Sequence, residues 1–176
     1  VPTLHEKDVR RIAEAIINGT AIAVSDGSFA KAHGTAAWII QGVSGSGEVG
    51  GVLVVPGYPS DQSPYRSELA GLYAIMIAVE AICAYYDIQE GSIEVACDGE
   101  SALNNAIDFL DYDSPGKEQF DIIGAIWQAR HRSSLKWKFR HVKGHQDDNA
   151  NAVLDRWALL NIRMDSEAKD QWQQTH

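Results

Sequence analysis

The feature that most constrains this chain is a change of hydrophobic period near residue 63. Before it lie three short apolar runs, 20–25, 35–41 and 51–55, separated by brief connections such as Ser44-Gly45-Ser46-Gly47. Connections that short join antiparallel neighbours, so the runs read as a three-stranded meander. Then Ser63-Pro64 opens a long helix reaching about residue 87, with Ser as N-cap and Pro at the first helical position. A fourth run, Ser92–Cys97, brings the chain back to the sheet. A strand reached through a helical crossover pairs in parallel, so this one is expected alongside the first and parallel to it.

The remaining elements follow the same logic. A short helix is expected over about 100–110, a turn over 111–116 and another helix over 117–132. A half-exposed strand follows over 135–140, where Leu, Lys, Trp, Lys, Phe and Arg alternate. A loop covers 141–151, and the final helix covers 152–172. Ahead of the first strand, 4–17 reads as an amphipathic helix. Thr3 and Glu6 are spaced as a capping box, Asn18-Gly19 is the stop, and Val9, Ile12, Ala13 and Ile16 share one face. The expected architecture is α/β: a mixed five-stranded sheet, three antiparallel strands then parallel additions, flanked by helices. Residues 1–19 form an N-terminal helical extension, and 20–176 form one domain.

Size and composition agree with one ordinary globular domain. The chain has 176 residues, of which 45% are hydrophobic and 22% charged. The most apolar stretch, near 69–79, is too short and mixed for a membrane span, so no membrane partner is expected. Cys83 and Cys97 sit in apolar runs and read as reduced core thiols, which points to an intracellular setting. The Val-Pro start suggests a piece of a longer protein. Net charge is −9, which repels nucleic acid at long range. Yet Arg130, Arg132, Lys136, Lys138, Arg140 and Lys143 fall within 14 positions free of acids, leaving −15 on the rest. That asymmetry can mark a phosphate-facing surface or simply a solvated strand face.

Four carboxylates stand where charge is costly. Asp26 and Asp98 each end an apolar strand, and adjacent parallel strands would set them side by side. Glu68 lies on the helical stripe of Leu72, Ile75, Val79 and Ile82. Asp165 shares its face with Leu154, Trp157, Asn161, Ala168 and Trp172. Taken singly, Asp26-Gly27 and Asp98-Gly99 are also ordinary turns, Glu68 suits an early helical turn, and Asp165 suits an exposed one. Taken together, four clustered carboxylates either hold protons or are neutralised by cations. Hard oxygen donors favour Mg²⁺ or Mn²⁺, and two such ions about 4 Å apart form the clamp for phosphodiester displacement.

Other patterns are weaker. His141 and His145 have half a zinc spacing with no cysteine nearby. His145, in a polar Gly-flanked loop, reads equally as a mobile proton carrier or a plain loop histidine. Asp147 and Asp148 read as solvated loop charges, and Trp38, Trp127 and Trp137 as core. No phosphate-binding glycine loop, dinucleotide fingerprint or nucleophile elbow occurs.

The segments Ser25-Asp26-Gly27-Ser28, Arg66-Ser67-Glu68-Leu69-Ala70, Cys97-Asp98-Gly99, Val142-Lys143-Gly144-His145 and the run from Asn161 to Lys169 resemble, in order, the type 1 ribonuclease H family. The resemblance spans about 20–172. Around His145 and Asp165 it is most similar to the ribonuclease H domains of eukaryotic retroelement reverse transcriptases. It implies a ribonuclease H-like fold and an endonuclease that cuts the RNA strand of RNA/DNA hybrids with two Mg²⁺, leaving 5′-phosphate and 3′-hydroxyl ends. It implies metal-binding roles for Asp26, Glu68, Asp98 and Asp165, and a product-release or proton-transfer role for His145. Gly27, Ser28 and Arg66 match substrate-contacting positions, and hybrid would be read by shape and 2′-hydroxyls.

Three departures qualify what the resemblance implies. Pro64-Tyr65 replaces the usual polar amides before Arg66. Twenty positions separate His145 from Asp165, an extended spacing. The stretch 108–118 is acidic where a basic substrate handle could stand. Weak hybrid binding by this domain alone follows, with a fused or associated polymerase domain supplying grip. The rival readings are a DNA-directed nuclease or transposase relative, and a non-catalytic nucleic-acid- or polymerase-binding module on the same fold.

Overall fold

The computed structural model describes residues 5–43, 47–107, 119–149, 151 and 153–175, without the side chain of residue 120. The expected Thr3 cap, most of the 44–47 turn, the 111–116 turn and the acidic 108–118 stretch lie outside the described residues.

The elements run α1 (Glu6–Asn18), β1 (Ala21–Ala30), β2 (His33–Gln41), β3 (Glu48–Val54), α2 (Pro64–Tyr85), β4 (Ser92–Cys97), α3 (Glu100–Ile107), α4 (Phe120–Arg132), β5 (Lys136–His141) and α5 (Arg156–Thr175). The sheet order is β3-β2-β1-β4-β5. β1 pairs antiparallel with β2 and parallel with β4; β2 pairs antiparallel with β3, and β4 parallel with β5. The mixed five-stranded sheet, its parallel crossover and the extra N-terminal helix are as the sequence leads one to expect.

Period-2 alternation sorts the sheet's side chains between two layers. Ala21, Ala23, Ile93 and Val95 join one cluster with α1, α2, α3 and α4. Ile22, Val24, Ile39 and Ala96 join Leu160, Met164 and Ala168 of α5 on the other face. At the centre is α2, whose Leu69, Leu72, Ile75, Met76 and Val79 are at most 2% exposed. Over its full 22 residues α2 is long and apolar enough to cross a membrane by length and composition, a wider apolar stretch than 69–79 alone suggests; half of its most apolar 18 residues pack inside the protein. Between α1, α2 and α4, above β2 and β3, an apolar cavity of about 740 Å³ is lined by Trp38, Leu53, Tyr73, Ile77, Tyr85 and Ile122.

Two boundaries differ from the sequence expectation in ways that matter. β1 does not end at Asp26. It continues to Ala30, because the antiparallel ladder with β2 carries on (Asp26↔Ala37 to Ala30↔His33) after the parallel ladder with β4 stops at Val24↔Ala96. The β1–β2 hairpin then closes on Lys31 and Ala32, both at positive φ (51° and 58°). That mirror-image turn normally draws Gly or Asn, so these residues carry no turn signal. In addition, α5 starts at Arg156, with the Asp155 carboxylate accepting from the Ala158 N–H at 2.8 Å.

The start of α2 is placed by its cap and by glycine. Ser63 Oγ accepts from the Arg66 N–H at 3.0 Å. Gly71 faces Ser25, where a Cβ would come within 3.0 Å of the serine Cβ. At Gly27, a Cβ would meet the Ser67 Cβ at 2.7 Å and the Glu68 nitrogen at 3.0 Å. Strand and helix backbones therefore touch where Glu68 emerges. Gly27→Ala is expected to force them apart and to destabilise the protein by about 1–3 kcal/mol, read as a lower denaturant midpoint; an unchanged midpoint would show that this contact can relax freely.

Candidate metal centre

Asp26 and Asp98 lie at equivalent places, each two residues beyond the last paired residues of β1 and β4, Val24 and Ala96. The parallel register thus sets them side by side. Glu68 comes down from the beginning of α2. Carboxylate oxygens of the three lie within 4.8 Å of one another. A strand-borne pair and a helix-borne acid, 30 to 72 positions apart in sequence, share one pit.

The pit is tightly walled. The Gly27 N–H donates to Asp26 Oδ1 at 2.9 Å and to Glu68 Oε1 at 3.0 Å, tying the two side chains to one backbone group. A Cβ on Gly99 would meet the Glu68 Cγ at 2.8 Å, and one on Gly144 would meet Asp98 Oδ2 at 2.5 Å. Asp26 is only 3% exposed. Glu68 Oε2 is buried and has no hydrogen-bond partner.

Electrostatics follow from this geometry. Burial, and then the charges of Glu68 and Asp98, raise the Asp26 pKa to about 10. Burial and the Asp98 charge raise Glu68 to about 8, while hydrogen bonds from Asp26 and Gly27 hold it down. Burial is also the first cause pushing the neighbouring Cys97 thiol up, with Glu68 adding to it. Without a cation, the pit therefore holds protons at neutral pH.

Asp165 stands beside this trio. Its Oδ2 accepts from Lys169 Nζ at 2.9 Å, one helical turn along α5. Its charge still reaches Asp26 and contributes to that residue's raised pKa. Lys169 itself feels Asp165 first, then Asp26 and Asp147, so its ammonium faces the acids. In the sequence, only the i,i+4 spacing of Lys169 from Asp165 marks this pair. His145 is exposed at φ 55° and begins a single helical turn over Gln146–Asp148, one residue after Gly144. His141 ends β5 with Nε2 3.2 Å from the Asp98 carbonyl oxygen, so it belongs to the wall of this site.

Gly27, Ser28 and Arg66, matched above to substrate contacts, all have partners within the fold. The Gly27 N–H is taken by the carboxylates, and the Ser28 carbonyl accepts from Ser67 Oγ at 3.3 Å. Arg66 is 4% exposed. Its guanidinium donates to the Pro56 carbonyl (2.9 Å), to Gln119 Oε1 (2.7 Å) and to both oxygens of Asp121 (2.9 Å each). It clamps the loop before α2 to the start of α4, so a direct substrate contact by this guanidinium does not fit its placement. Trp127 is core, as expected, with its indole N–H donating to the Asn105 carbonyl.

The sequence matches no protein-family model and no curated protein. Its likeness is to solved structures. Ribonuclease H1 from the halophilic archaeon Halobacterium salinarum superposes with TM-score 0.55 at 17% identity, covering 86% of this chain and 98% of that one. LC9-RNase H1, a type 1 RNase H with the type 2 active-site motif, gives 0.59 at 13% identity, covering 89% and 73%. The N-terminal RNase H domain of a Mycobacterium tuberculosis protein gives 0.53 at 10%, covering 85% and 96%. At such identities the likeness establishes the ribonuclease H fold.

The raised pKa of Asp26 has a measurable consequence. Between its unfolded value near 3.8 and its folded value near 10, the native state holds a proton the unfolded state lacks. Stability must therefore fall as pH rises through that window. In EDTA, Asp26→Asn is expected to raise stability more at pH 8 than at pH 5, by at least about 1.4 kcal/mol, the worth of one pKa unit. Denaturant midpoints at the two pH values measure this, and equal gains would mean no buried proton at Asp26.

Proposed function

We propose that this chain is a ribonuclease H: a divalent-metal-dependent endoribonuclease that cuts the RNA strand of RNA/DNA hybrids and leaves 5′-phosphate and 3′-hydroxyl ends. One observation carries the reading. On a ribonuclease H fold, carboxylate oxygens of Asp26, Glu68 and Asp98 lie within 4.8 Å of one another, and Glu68 Oε2 is buried without a hydrogen-bond partner. An acid cluster without a role should have been lost, since it destabilises the fold that holds it.

The donor set fits hard divalent cations. All ligand atoms are carboxylate oxygens, with no thiolate or imidazole among the converging three. Asp26, Glu68 and Asp98 would hold Mg²⁺ or Mn²⁺, with Asp165 as the fourth ligand once it leaves Lys169. Bound there, two ions would supply activation of the attacking water and charge stabilisation of the leaving 3′-oxygen. The residues do the positioning. Gly27 fixes one oxygen each of Asp26 and Glu68, which leaves Glu68 Oε2 buried and without a hydrogen-bond partner. Gly144 holds the His145 loop against Asp98, where the imidazole can carry a proton or help product depart. Hybrid would be recognised by shape and 2′-hydroxyls. The function is intracellular, and a fused or associated reverse transcriptase domain would add affinity.

The test is a labelled RNA/DNA hybrid with Mg²⁺, run beside duplex DNA. Cleavage of the hybrid RNA strand by wild type, abolished in Asp26→Asn, is expected; equal cleavage by both proteins would end the mechanism, and preference for duplex DNA would favour a transposase-like relative. Thermal scans give a second measure. Mg²⁺ is expected to raise Tm in wild type and not in Asp98→Asn. Lys169→Gln is expected to lower the Mg²⁺ concentration giving half the Tm shift several-fold, because Asp165 is then released without competition. No change would mean that the ion pair does not oppose metal binding.

A further inference from the structure

The six basic residues between Arg130 and Lys143 divide into two groups in the fold. Arg130 donates to the carbonyls of Ala106 and Ile107 and lies over the Phe139 ring, and Arg132 pairs with Glu80 at 2.9 Å. These two are tied to α3 and α2. The other four lie on β5 or just past it.

Lys136, Lys138 and Arg140 are registered with Ser92, Glu94 and Ala96 of β4 and so project from the same face. Ala96 packs in the cluster with α5, which identifies that face. Yet α5 lies over β1, β2 and β3. Among the described residues, α5 reaches that face of β4 and β5 only near Ala96 and Arg140, and all three cations are exposed. Arg140 is held by Glu94 at 3.0 Å and by the Trp157 ring, 4.7 Å from its guanidinium carbon. Among the described residues, no carboxylate forms an ion pair with Lys136, Lys138 or Lys143.

The row also has a direction. β5 runs parallel to β4, and β4 to β1, so its cations climb about 6.6 Å per step toward the end of the sheet that carries the carboxylates. Lys143 stands at the top, next to the Gly144 that packs on Asp98. Elsewhere the protein carries −15 and repels a polyanion. Glu94 is the one acid in the row, and it is engaged by Arg140.

We propose that the open face of β4 and β5 is a track for a nucleic-acid backbone, in which Lys136, Lys138 and Lys143 contact phosphates of the strand leading away from the carboxylate pit. This rests on the ribonuclease H reading and adds to it the surface that grips. Arg140, fixed by Glu94 and Trp157, sets the spacing of the row rather than providing free charge. Lysines along an edge strand can also serve only to block sheet-to-sheet pairing, and that role would leave nucleic-acid binding unchanged.

The test uses the whole chain, with anisotropy of a labelled RNA/DNA hybrid over a KCl series in EDTA and cleavage with Mg²⁺. In Lys136→Gln/Lys138→Gln, the slope of log affinity against log salt is expected to shrink by about 1.4–1.8, and KM to rise while kcat and the Mg²⁺-induced Tm shift stay unchanged. Glu94→Gln is expected to tighten binding. Lys7→Gln/Arg10→Gln removes the same charge from α1 and is expected to leave the slope nearly as in wild type. Cleavage by wild type with an unaltered slope in the β5 variant would overturn the track alone, as would an equal change in the α1 variant. Binding that depends on Lys136 and Lys138 without any cleavage would uphold the track and overturn the nuclease reading. Neither binding nor cleavage would overturn both.

Discussion

Three acidic side chains forced into one pit repel one another and lose their water, and the rest of the molecule is arranged so that they cannot separate. The parallel register of β1 and β4 fixes Asp26 beside Asp98. The backbone contact at Gly27 brings the start of α2 down onto β1, and Glu68 comes with it. One N–H then binds the two most perturbed carboxylates together. The opposing force is the surrounding core: Leu69, Leu72 and Ile75 below Glu68, and Val24 and Ala96 below the aspartates, are all fully buried. Burying the leucine, isoleucine and valine side chains among these is worth about 1.5–3 kcal/mol each. That is sufficient to hold a site whose own contribution, with no cation present, is unfavourable.

Much of this was legible in the residues because the relevant signals are local. Alternation in 135–140 and the apolar stripe of α2 follow directly from side-chain period. Ser63-Pro64 marks a helix start by its own chemistry, and the serine does accept from Arg66. The crossover rule then makes β4 parallel to β1, and a parallel ladder that stops two residues short of each Asp brings the acids together. What escaped was decided between distant segments. The end of β1 depends on how far β2 accompanies it, and nothing within 20–30 shows that. The Lys31-Ala32 turn is imposed by the ladder on both sides of it and has no propensity of its own to advertise.

The site residues divide along the same line. Asp26, Glu68 and Asp98 stand out as charges at apolar positions. Asp165 looks the same in sequence, yet Lys169 one turn along α5 occupies its carboxylate. Arg66 precedes a buried Glu and suggests a surface cation, but its partners, Pro56, Gln119 and Asp121, are 10 to 55 positions away. A guanidinium with several acceptors in fixed places is drawn inward as a strut, because its planar fork can satisfy all of them at once.

Gly144 lies so close to the Asp98 carboxylate that even a methyl group would not fit between them. The chain from the end of β5 to that glycine is thus of fixed length, whereas Asp147, Asp148 and Asn149 beyond it are exposed. Insertions and deletions among relatives of this protein should collect on the far side of His145 and be purged on the near side. A ruler of three residues would then outlast the drift of nearly everything around it.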